Sequence, residues 1–329
     1  MIDKLKHKSW SFWVLIIYVT IALLGAVFNV DYWAQQTDIS NIYLAPFQSF
    51  SHILGTDSLG RNTLIGILNG VRISFLVGLF SALGSLFVAA GLGYASGYLG
   101  DKLVRISWVN TVTILILTFL LFFLWVYGNQ PIFYLFLYVS TIFILHKYIE
   151  PRLGNLKSIP IPFDSIVMKI IGIFKSVPGM FLTIFLFSLF SQRSMVNLII
   201  VIVIFRWPQL TRIIRSEIMK LKNQPFIVSA EASGLNQFTL LKNHLLPNII
   251  EPVLVSLIYG FIASILIEAS LTFIGLGLPL ETVSWGSMLS GSRLYLPAWW
   301  LILFPGLIMF LIITALKDIS NKKLFTFEY

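Results

Sequence analysis

Side chains that could carry out chemistry are few in this sequence and widely spaced. It contains no cysteine, which excludes thiol catalysis, disulfides and thiolate metal ligands. Its histidines fall in different polar segments, and no set of His, Asp and Glu has the spacing of a metal site. No G-x-x-x-x-G-K-[ST] phosphate-binding loop occurs either. The sequence therefore predicts no metal site and no nucleotide-hydrolysing site.

Two ionisable residues, Arg206 and Glu268, stand inside or at the end of segments that are otherwise apolar. A charged side chain at membrane depth is costly and is a functional candidate by default. Arg206 has two interpretations: its long side chain reaches the nearer membrane interface, or it lines a translocation path. Glu268 is interpreted either as a solvated helix end or as a second candidate for that path.

The composition places these segments in a membrane. The chain of 329 residues is 57% hydrophobic and 11% charged, with a mean hydropathy of +0.87, whereas soluble domains contain about 25% charged residues. A spanning helix needs about 20 apolar residues, and the sequence predicts an all-α polytopic membrane protein with eight spans. The predicted spans are 11–30, 73–100, two within 106–145 that flank the turn residues 127–131, 176–192, 194–214, 248–267 and 294–316.

The distribution of basic residues predicts the side of the membrane that each segment occupies. With the N-terminus inside and the first span retained, 19 of the 23 Lys and Arg residues fall in cytoplasmic segments. The remaining four, which would lie outside, are Arg61, Arg72, Arg193 and Arg293. Topology thus explains the net charge of +9 without nucleic-acid binding, and both termini are predicted to be cytoplasmic.

Residues 225–246 form a polar stretch between two predicted spans on the cytoplasmic side; we call it the 225–246 motif. A short helix from about 225 is predicted to end at Gly234, and a second helix, capped by Asn236, is predicted to end before Pro247. Two interpretations stay open, an interfacial connector or a docking surface for a cytoplasmic partner. The apolar contacts of that surface would be Phe226, Ile227, Phe238 and Leu241.

The same motif resembles the cytoplasmic coupling loop of ABC importer permeases, in which Glu-Ala-Ala precedes a glycine and Leu-Leu-Pro follows it. The interval from Gly234 to Pro247 and the residues HLLPN at 244–248 match this pattern. The family glutamate stands six residues before the glycine, where this chain has Val228, so its role is not carried over. The ATPase-coupling loop that the resemblance implies contains Phe226, Ser229, Ala230, Glu231, Gly234, Phe238, Leu241 and Pro247.

Two further stretches resemble the C-type permease subunit of dipeptide, oligopeptide and nickel importers. HILGTDSLGRNTLIGILNGVRISFLVG at 52–78 resembles the external segment before the second core span. IEASLTFIGLGLPLETVSWGSML at 267–289 resembles the segment after the fifth. Ile53, Asn62 and Gly66 depart from the family residues, so the polar contacts of the external motif are not carried over unchanged. That motif comprises His52, Gly55, Asp57, Gly60, Arg61 and Arg72.

The external motif has two interpretations. Asp57, Arg61 and Arg72 would contact an external binding protein, or Asp57 and Arg61, four residues apart, would form only a local surface pair. The family core has six spans, so the predicted hairpin 106–149 is an insertion that starts and ends on the same side. The predicted organisation is the tail, first span and start of the external loop at 1–50, the external motif and second core span at 51–105, the inserted hairpin and linker at 106–163, the permease core at 164–318 and a cytoplasmic tail at 319–329.

The resemblance implies a pore-forming permease subunit of an ATP-driven ABC importer for peptides in the bacterial plasma membrane. It implies as partners a sister permease, one or two cytoplasmic ATPases and an external substrate-binding protein, with ATP and Mg²⁺ on the ATPases and no cofactor on this chain. A nickel-chelate importer is the alternative within the family. A secondary transporter that uses Arg206 and Glu268 for coupling is the competing class, and a membrane-embedded enzyme is the third, for which no catalytic set is found.

Overall fold

The computed structural model describes residues 10–28, 30–101, 105–107, 158–160, 162–190, 192–279 and 281–321. The chain divides into two compact units, a larger one of residues 1–94 and 171–329 and a smaller one of residues 95–170. The helices are α1 Trp10–Val27, α2 Val30–Gln35, α3 Thr63–Tyr94, α4 Phe163–Ser176, α5 Gly179–Ser188, α6 Met195–Lys222, α7 Pro225–Ala232, α8 Gln237–Leu240, α9 Leu246–Ile274, α10 Trp285–Ser292 and α11 Trp300–Asn321. Strands β1 Arg105–Ser107 and β2 Ser158–Pro160 pair antiparallel in the smaller unit.

Five described helical segments are long and apolar enough to cross a membrane, or six if α4 and α5 form one bent span. They are Trp10–Val27, Thr63–Leu99, Met195–Lys222, Gln237–Ile274 and Trp300–Asn321. The chain is therefore a multi-pass, almost entirely helical membrane protein, as the composition predicts. The two spans predicted within 106–145 lie almost wholly outside the described residues.

The predicted span 176–192 corresponds to the end of α4, a break and α5. Helices α4 and α5 are bent by 94° at the break between them. Proline disfavours the helical conformation of the residue before it and offers no N–H to the preceding turn, and Pro178 stands in this break. The apolar run alone concealed the bend, because hydropathy does not record backbone direction.

Helix α3 contacts α1, α6, α9, α10 and α11 in the larger unit. Its contact faces carry small residues: Cβ atoms added at Gly78 and Gly84 would lie within 2.8 Å of Phe261 and 2.7 Å of Val203. Helices inside a membrane associate through close packing rather than through the hydrophobic effect, and small residues let their backbones approach. The sequence of α3 therefore suits a central helix.

Within the smaller unit, Asp101 is hydrogen-bonded to Ser165 in the first turn of α4. Its carboxylate accepts hydrogen bonds from the Ser165 backbone N–H at 2.9 Å and the Ser165 hydroxyl at 2.6 Å. Both bonds favour the charged form of the carboxylate, and the bond from the Ser165 hydroxyl has the larger effect. They therefore hold the pKa of Asp101 below its usual value. Asp101 thus stays ionised while it fixes the first turn of α4.

Candidate functional site

The 225–246 motif begins with helix α7, which starts at Pro225 and ends in a glycine turn. Gly234 has a φ of +77°. Its N–H donates to the Glu231 carbonyl at 3.0 Å, and the Leu235 N–H donates to the Ala230 carbonyl at 3.4 Å. This pair of bonds is a Schellman motif, which satisfies the last carbonyls of a helix and requires a left-handed residue. The predicted break at Gly234 is therefore present for the predicted reason.

A second helical segment follows the turn at once. The Asn236 side-chain oxygen accepts a hydrogen bond from the Thr239 N–H at 2.7 Å and caps α8. A π-helical turn, Leu241–Leu245, then leads directly into α9. The prediction that this helix ends before Pro247 is wrong: Pro247 lies in the first turn of α9, where its missing N–H costs least.

The two faces of the motif differ in burial. Ile227, Ala230 and Leu240 are buried. Phe226 is 44% exposed and Phe238 is 72% exposed. The interpretation of Ile227 as a surface contact is therefore wrong, because its side chain packs inward. Among the exposed residues of the motif are Phe226, Val228, Ser229, Glu231, Leu235 and Phe238, and Leu241 is half-buried.

The external motif is built around Asp57. Its carboxylate accepts the backbone N–H groups of Leu59 at 2.8 Å and Arg61 at 2.9 Å, and the Arg61 Nε at 2.6 Å. The two side chains are only 9% and 12% exposed. The predicted local pair of Asp57 and Arg61 is therefore present, but it is largely buried rather than at the surface: it is a charge-assisted pair that stabilises the turn.

Close backbone contacts explain the glycines of the external motif. Gly60 has a φ of +72°, and a Cβ there would lie 1.8 Å from the Asp38 carbonyl oxygen. Gly55 has a φ of +81° and lies against Leu44 and Trp300. The Trp300 indole N–H donates to the Thr56 carbonyl at 2.9 Å. The motif is thus clamped to the start of α11.

The other motif residues have local partners. The His52 ring nitrogen Nδ1 lies 3.0 Å from the Ser51 hydroxyl. Asn62, one of the departures from the family pattern, donates to the Ser51 carbonyl at 2.8 Å and accepts the Leu64 N–H at 2.9 Å, so it caps α3. Arg72 is half-buried and donates to the Asn69 amide oxygen at 3.3 Å. Its position in the third turn of α3 separates it from the turn of Asp57.

Glu268 is buried, with 1% of its surface exposed, so the interpretation as a solvated helix end is wrong. One carboxylate oxygen accepts hydrogen bonds from the Thr272 hydroxyl at 3.1 Å and the Ser284 hydroxyl at 2.9 Å. Ser284 also caps α10 by accepting the Ser287 N–H at 3.3 Å. Glu268 therefore joins the C-terminal part of α9 to the start of α10.

Arg206 lies in the middle of α6, about 16 Å along the helix from Met195 at 1.5 Å per residue. Its side chain is half-buried. It lies against α9, because a Cβ added at Gly260 would lie 2.8 Å from its Nη2 atom. Arg206 thus lies near the middle of α6 and is turned toward α9.

The structure brings the two family segments together, although about 200 residues separate them in the chain. Asn69 donates to the Val283 carbonyl at 2.9 Å, and the buried Trp285 indole N–H donates to the Ile67 carbonyl at 3.2 Å. The 225–246 motif lies at the opposite end of α9, which at 1.5 Å per residue is about 43 Å long. Two sites are therefore present, one at each end of the spans.

Asn69, Ser284 and Trp285 belong to the site where residues 52–78 and 267–289 meet, which we call the outer site after its predicted side of the membrane; none of the three was predicted as a site residue. The sequence carries one local signal for them, because Ser284 and Ser287 have the spacing of a helix N-cap and its third residue. Asn69 and Trp285 give no local signal, since their partners lie in distant segments. Their roles became visible only when those segments were placed together.

Several known proteins have sequences related to this one. The pattern of the binding-protein-dependent transport system inner membrane component matches residues 158–326. The chain is similar to the dipeptide transport system permease protein DppC of Alkalihalophilus pseudofirmus, with 27% identity over 97% of this chain and 85% of that protein. It is also similar to the glutathione transport system permease protein GsiD of Pectobacterium atrosepticum, with 26% identity over 98% and 94% of the two chains.

A third relative is the oligopeptide transport system permease protein OppC of Haemophilus influenzae, with 26% identity over 94% of this chain and 80% of that protein. These matches run through both family segments and the 225–246 motif, so they cover both ends of the spans. The family pattern covers more than half of the chain. This chain therefore belongs to the family of binding-protein-dependent transport system inner membrane components.

Proposed function

We propose that this chain is a pore-forming membrane subunit of an ATP-driven importer of peptides. Family membership and the peptide-related names of the relatives support this proposal. A second, homologous membrane subunit completes the pore, as the resemblance to ABC importer permeases implies; the relatives are named as permease proteins of transport systems. The chain itself binds no cofactor, and a bacterial plasma membrane is its location.

The observation that carries the proposal is the exposed apolar face of the 225–246 motif. Phe226 and Phe238 stand out from a helical pair whose other side is buried. Exposed aromatic side chains in a polar surround are typical anchors of a protein interface. Lys220, Lys222 and Lys242 border this face in the sequence, and the positive-inside rule supports a cytoplasmic location for it. A cytoplasmic ATPase docks there.

ATP hydrolysis is assigned to other chains, because this sequence has no phosphate-binding loop. Two ATPases hold ATP and Mg²⁺ and move the motif when they close. From Gln237 to Ile274 the helical segments follow one another without a loop, over about 57 Å. A rigid lever of that length carries the movement from the docking face to the outer site, and the pore opens alternately to each side.

The outer site receives the substrate from an external binding protein. Its turn is held by the Asp57–Arg61 pair and by Trp300, so it offers a preformed surface rather than a flexible loop. A preformed surface loses little conformational entropy on binding. Arg206, half-buried at mid-depth, is a candidate for lining the path that follows.

The first test is to purify the tagged chain in mild detergent and to identify the accompanying proteins by mass spectrometry. We expect a second permease and P-loop ATPases in stoichiometric amounts. Phe238→Glu should reduce ATPase retention about tenfold or more, since burying an unpaired charge costs more than 1 kcal/mol. The matched variant Phe238→Leu keeps an apolar side chain and should retain the ATPases; equal retention by both variants would contradict docking at Phe238.

The second test addresses the substrate. Proteoliposomes that contain the purified complex and the binding protein are supplied with a labelled dipeptide, a labelled tripeptide or ⁶³Ni²⁺. ATP-dependent accumulation of a peptide is the expected result. Accumulation of nickel alone would replace the peptide assignment with the nickel alternative, and accumulation driven by an ion gradient without ATP would establish a secondary transporter.

A further inference from the structure

An apolar groove of about 440 Å³ opens between α9, α10 and α11 in the larger unit. Leu266, Ser270 and Phe273 form one wall at the three- and four-residue spacing of a single helix face. Ile302 and Met309, seven residues apart on α11, form the opposite wall. Leu266 is 44% exposed and Ile302 is 48% exposed, so the groove is open along its side.

The groove lies in the outer part of the membrane-spanning region. Phe273 is the next-to-last residue of α9, and Ile302 is the third residue of α11. From Phe273 to Leu266 the groove descends about 10 Å at 1.5 Å per residue, which is roughly a third of the 30 Å hydrocarbon core. Its dimensions therefore suit the upper part of a lipid acyl chain.

Arg293 stands at the mouth of this groove. Its guanidinium carbon lies 4.6 Å from the centre of the Phe273 ring. Its Nη2 donates to the Ser290 hydroxyl at 2.8 Å. Within the described part of the chain, no carboxylate lies within ion-pair distance of Arg293. Since a guanidinium has five N–H donors, most of them remain for an anion.

A second, more polar cavity of about 510 Å³ adjoins the groove, and Arg293 lines both. Ser58, Ser287 and Ser290 are among its lining residues. Arg61 also lines it, but this side chain is committed to Asp57 at 2.6 Å. The apolar groove and the polar cavity meet at Arg293, a cation with free donors. This arrangement suits an amphipathic molecule that carries an anionic group between its apolar part and its polar part.

We propose that the groove and the adjoining cavity together bind one anionic phospholipid. Its phosphate lies on Arg293, one acyl chain fills the groove beside Phe273, and its polar head occupies the cavity. The neighbouring Leu294 and Leu296 are 77% and 79% exposed, and Trp299 is 50% exposed. Such a belt is typical of the boundary between hydrocarbon and water. The lipid stabilises the outer ends of α9 and α11, where the outer site is built.

The test measures lipid retention in the purified complex by native mass spectrometry, after addition of phosphatidylglycerol or phosphatidylcholine. We expect one retained phosphatidylglycerol and little phosphatidylcholine. Arg293→Gln should weaken retention of phosphatidylglycerol about fivefold, which is the effect of one basic residue near a membrane surface. Ser270→Phe, which fills the groove, should abolish retention of the lipid while the charge of Arg293 stays.

Arg193→Gln is the matched control, because Arg193 lies at the same end and donates to the Gly275 carbonyl at 2.6 Å without lining either space. It should retain lipid like the unchanged chain. Elution of each variant as an intact complex shows that folding is preserved. Equal retention of both lipids, or undiminished retention by Arg293→Gln, would overturn the proposal. So would cross-linking of Leu266→Cys to the second permease, which would show that protein fills the groove.

Discussion

At the scale of single residues, the 225–246 motif and the external motif differ in why they need their glycines. Gly234 is used only for its backbone, since a Cβ there would meet no atom within 4 Å. Gly60 is required by both backbone and space, because a Cβ would collide with the Asp38 carbonyl. The inner motif therefore tolerates side chains that the outer turn excludes, provided that they accept a left-handed backbone.

Replacing Gly234 tests the glycine turn of the 225–246 motif. A left-handed residue other than glycine costs roughly 1–2 kcal/mol, and a β-branched side chain is the least tolerant. Gly234→Val should therefore shift the exposed face and abolish most ATP-driven peptide uptake, while the amount of protein in the membrane stays the same. Gly234→Asn is the control, because asparagine accepts this conformation. Uptake by the valine variant at the level of the asparagine variant would refute the requirement for this turn.

The Glu268 network gives a second prediction at this scale. Glu268→Ala leaves the hydroxyls of Thr272 and Ser284 without their buried acceptor, which costs about 1–3 kcal/mol. Glu268→Gln keeps an acceptor oxygen and should cost less. Thermal unfolding in detergent should therefore rank the unchanged chain above the glutamine variant and the glutamine variant above the alanine variant. The reverse order of the two variants would show that Glu268 does not hold α10 through these bonds.

At the scale of helices, residues close to each helix end determine where the helix begins and ends, whereas residues distant in the sequence determine how it packs. The end of α7 and the cap of α8 follow from Gly234 and Asn236, and both were predictable. The prediction at Pro247 was wrong because a proline disrupts the interior of a helix but is tolerated in its first turn. The π-turn before it adds a residue to the helical turn, a feature that no sequence pattern in this segment indicated.

Two glycines on α3 form a matched pair for testing its packing. A Cβ at Gly70 would lie 2.2 Å from the Trp285 ring, whereas one at Gly91 would meet no atom within 4 Å. Gly70→Ala should therefore destabilise the protein by about 1–3 kcal/mol through overpacking. Gly91→Ala should be neutral or stabilising by up to about 1 kcal/mol, because alanine favours a helix. Similar unfolding temperatures for the two variants would mean that Trp285 does not pack tightly on α3.

At the scale of the whole molecule, the spans separate the 225–246 motif from the outer site, and the predicted side of each can be tested. The sequence lacks cysteine, so single cysteines report sidedness directly. Gln48→Cys should react with a membrane-impermeant maleimide in intact cells, and Asn223→Cys should react only after permeabilisation; both positions are exposed. Labelling of Asn223→Cys in intact cells would reverse the predicted orientation and remove the cytoplasmic docking face.

The sequence by itself determined the membrane environment, the helical class, the family and the turn at Gly234. Each depends on composition or on residues within a few positions of one another, so it can be read along the chain. Only the tertiary structure decided that Asp57 and Glu268 are buried and that Arg293 joins a groove to a cavity. Burial depends on which helix faces meet, and the contacts that set it, such as Trp285 with Ile67, join residues about 200 positions apart. No local sequence pattern indicates such a contact, because the residues around one partner do not depend on the identity of the other.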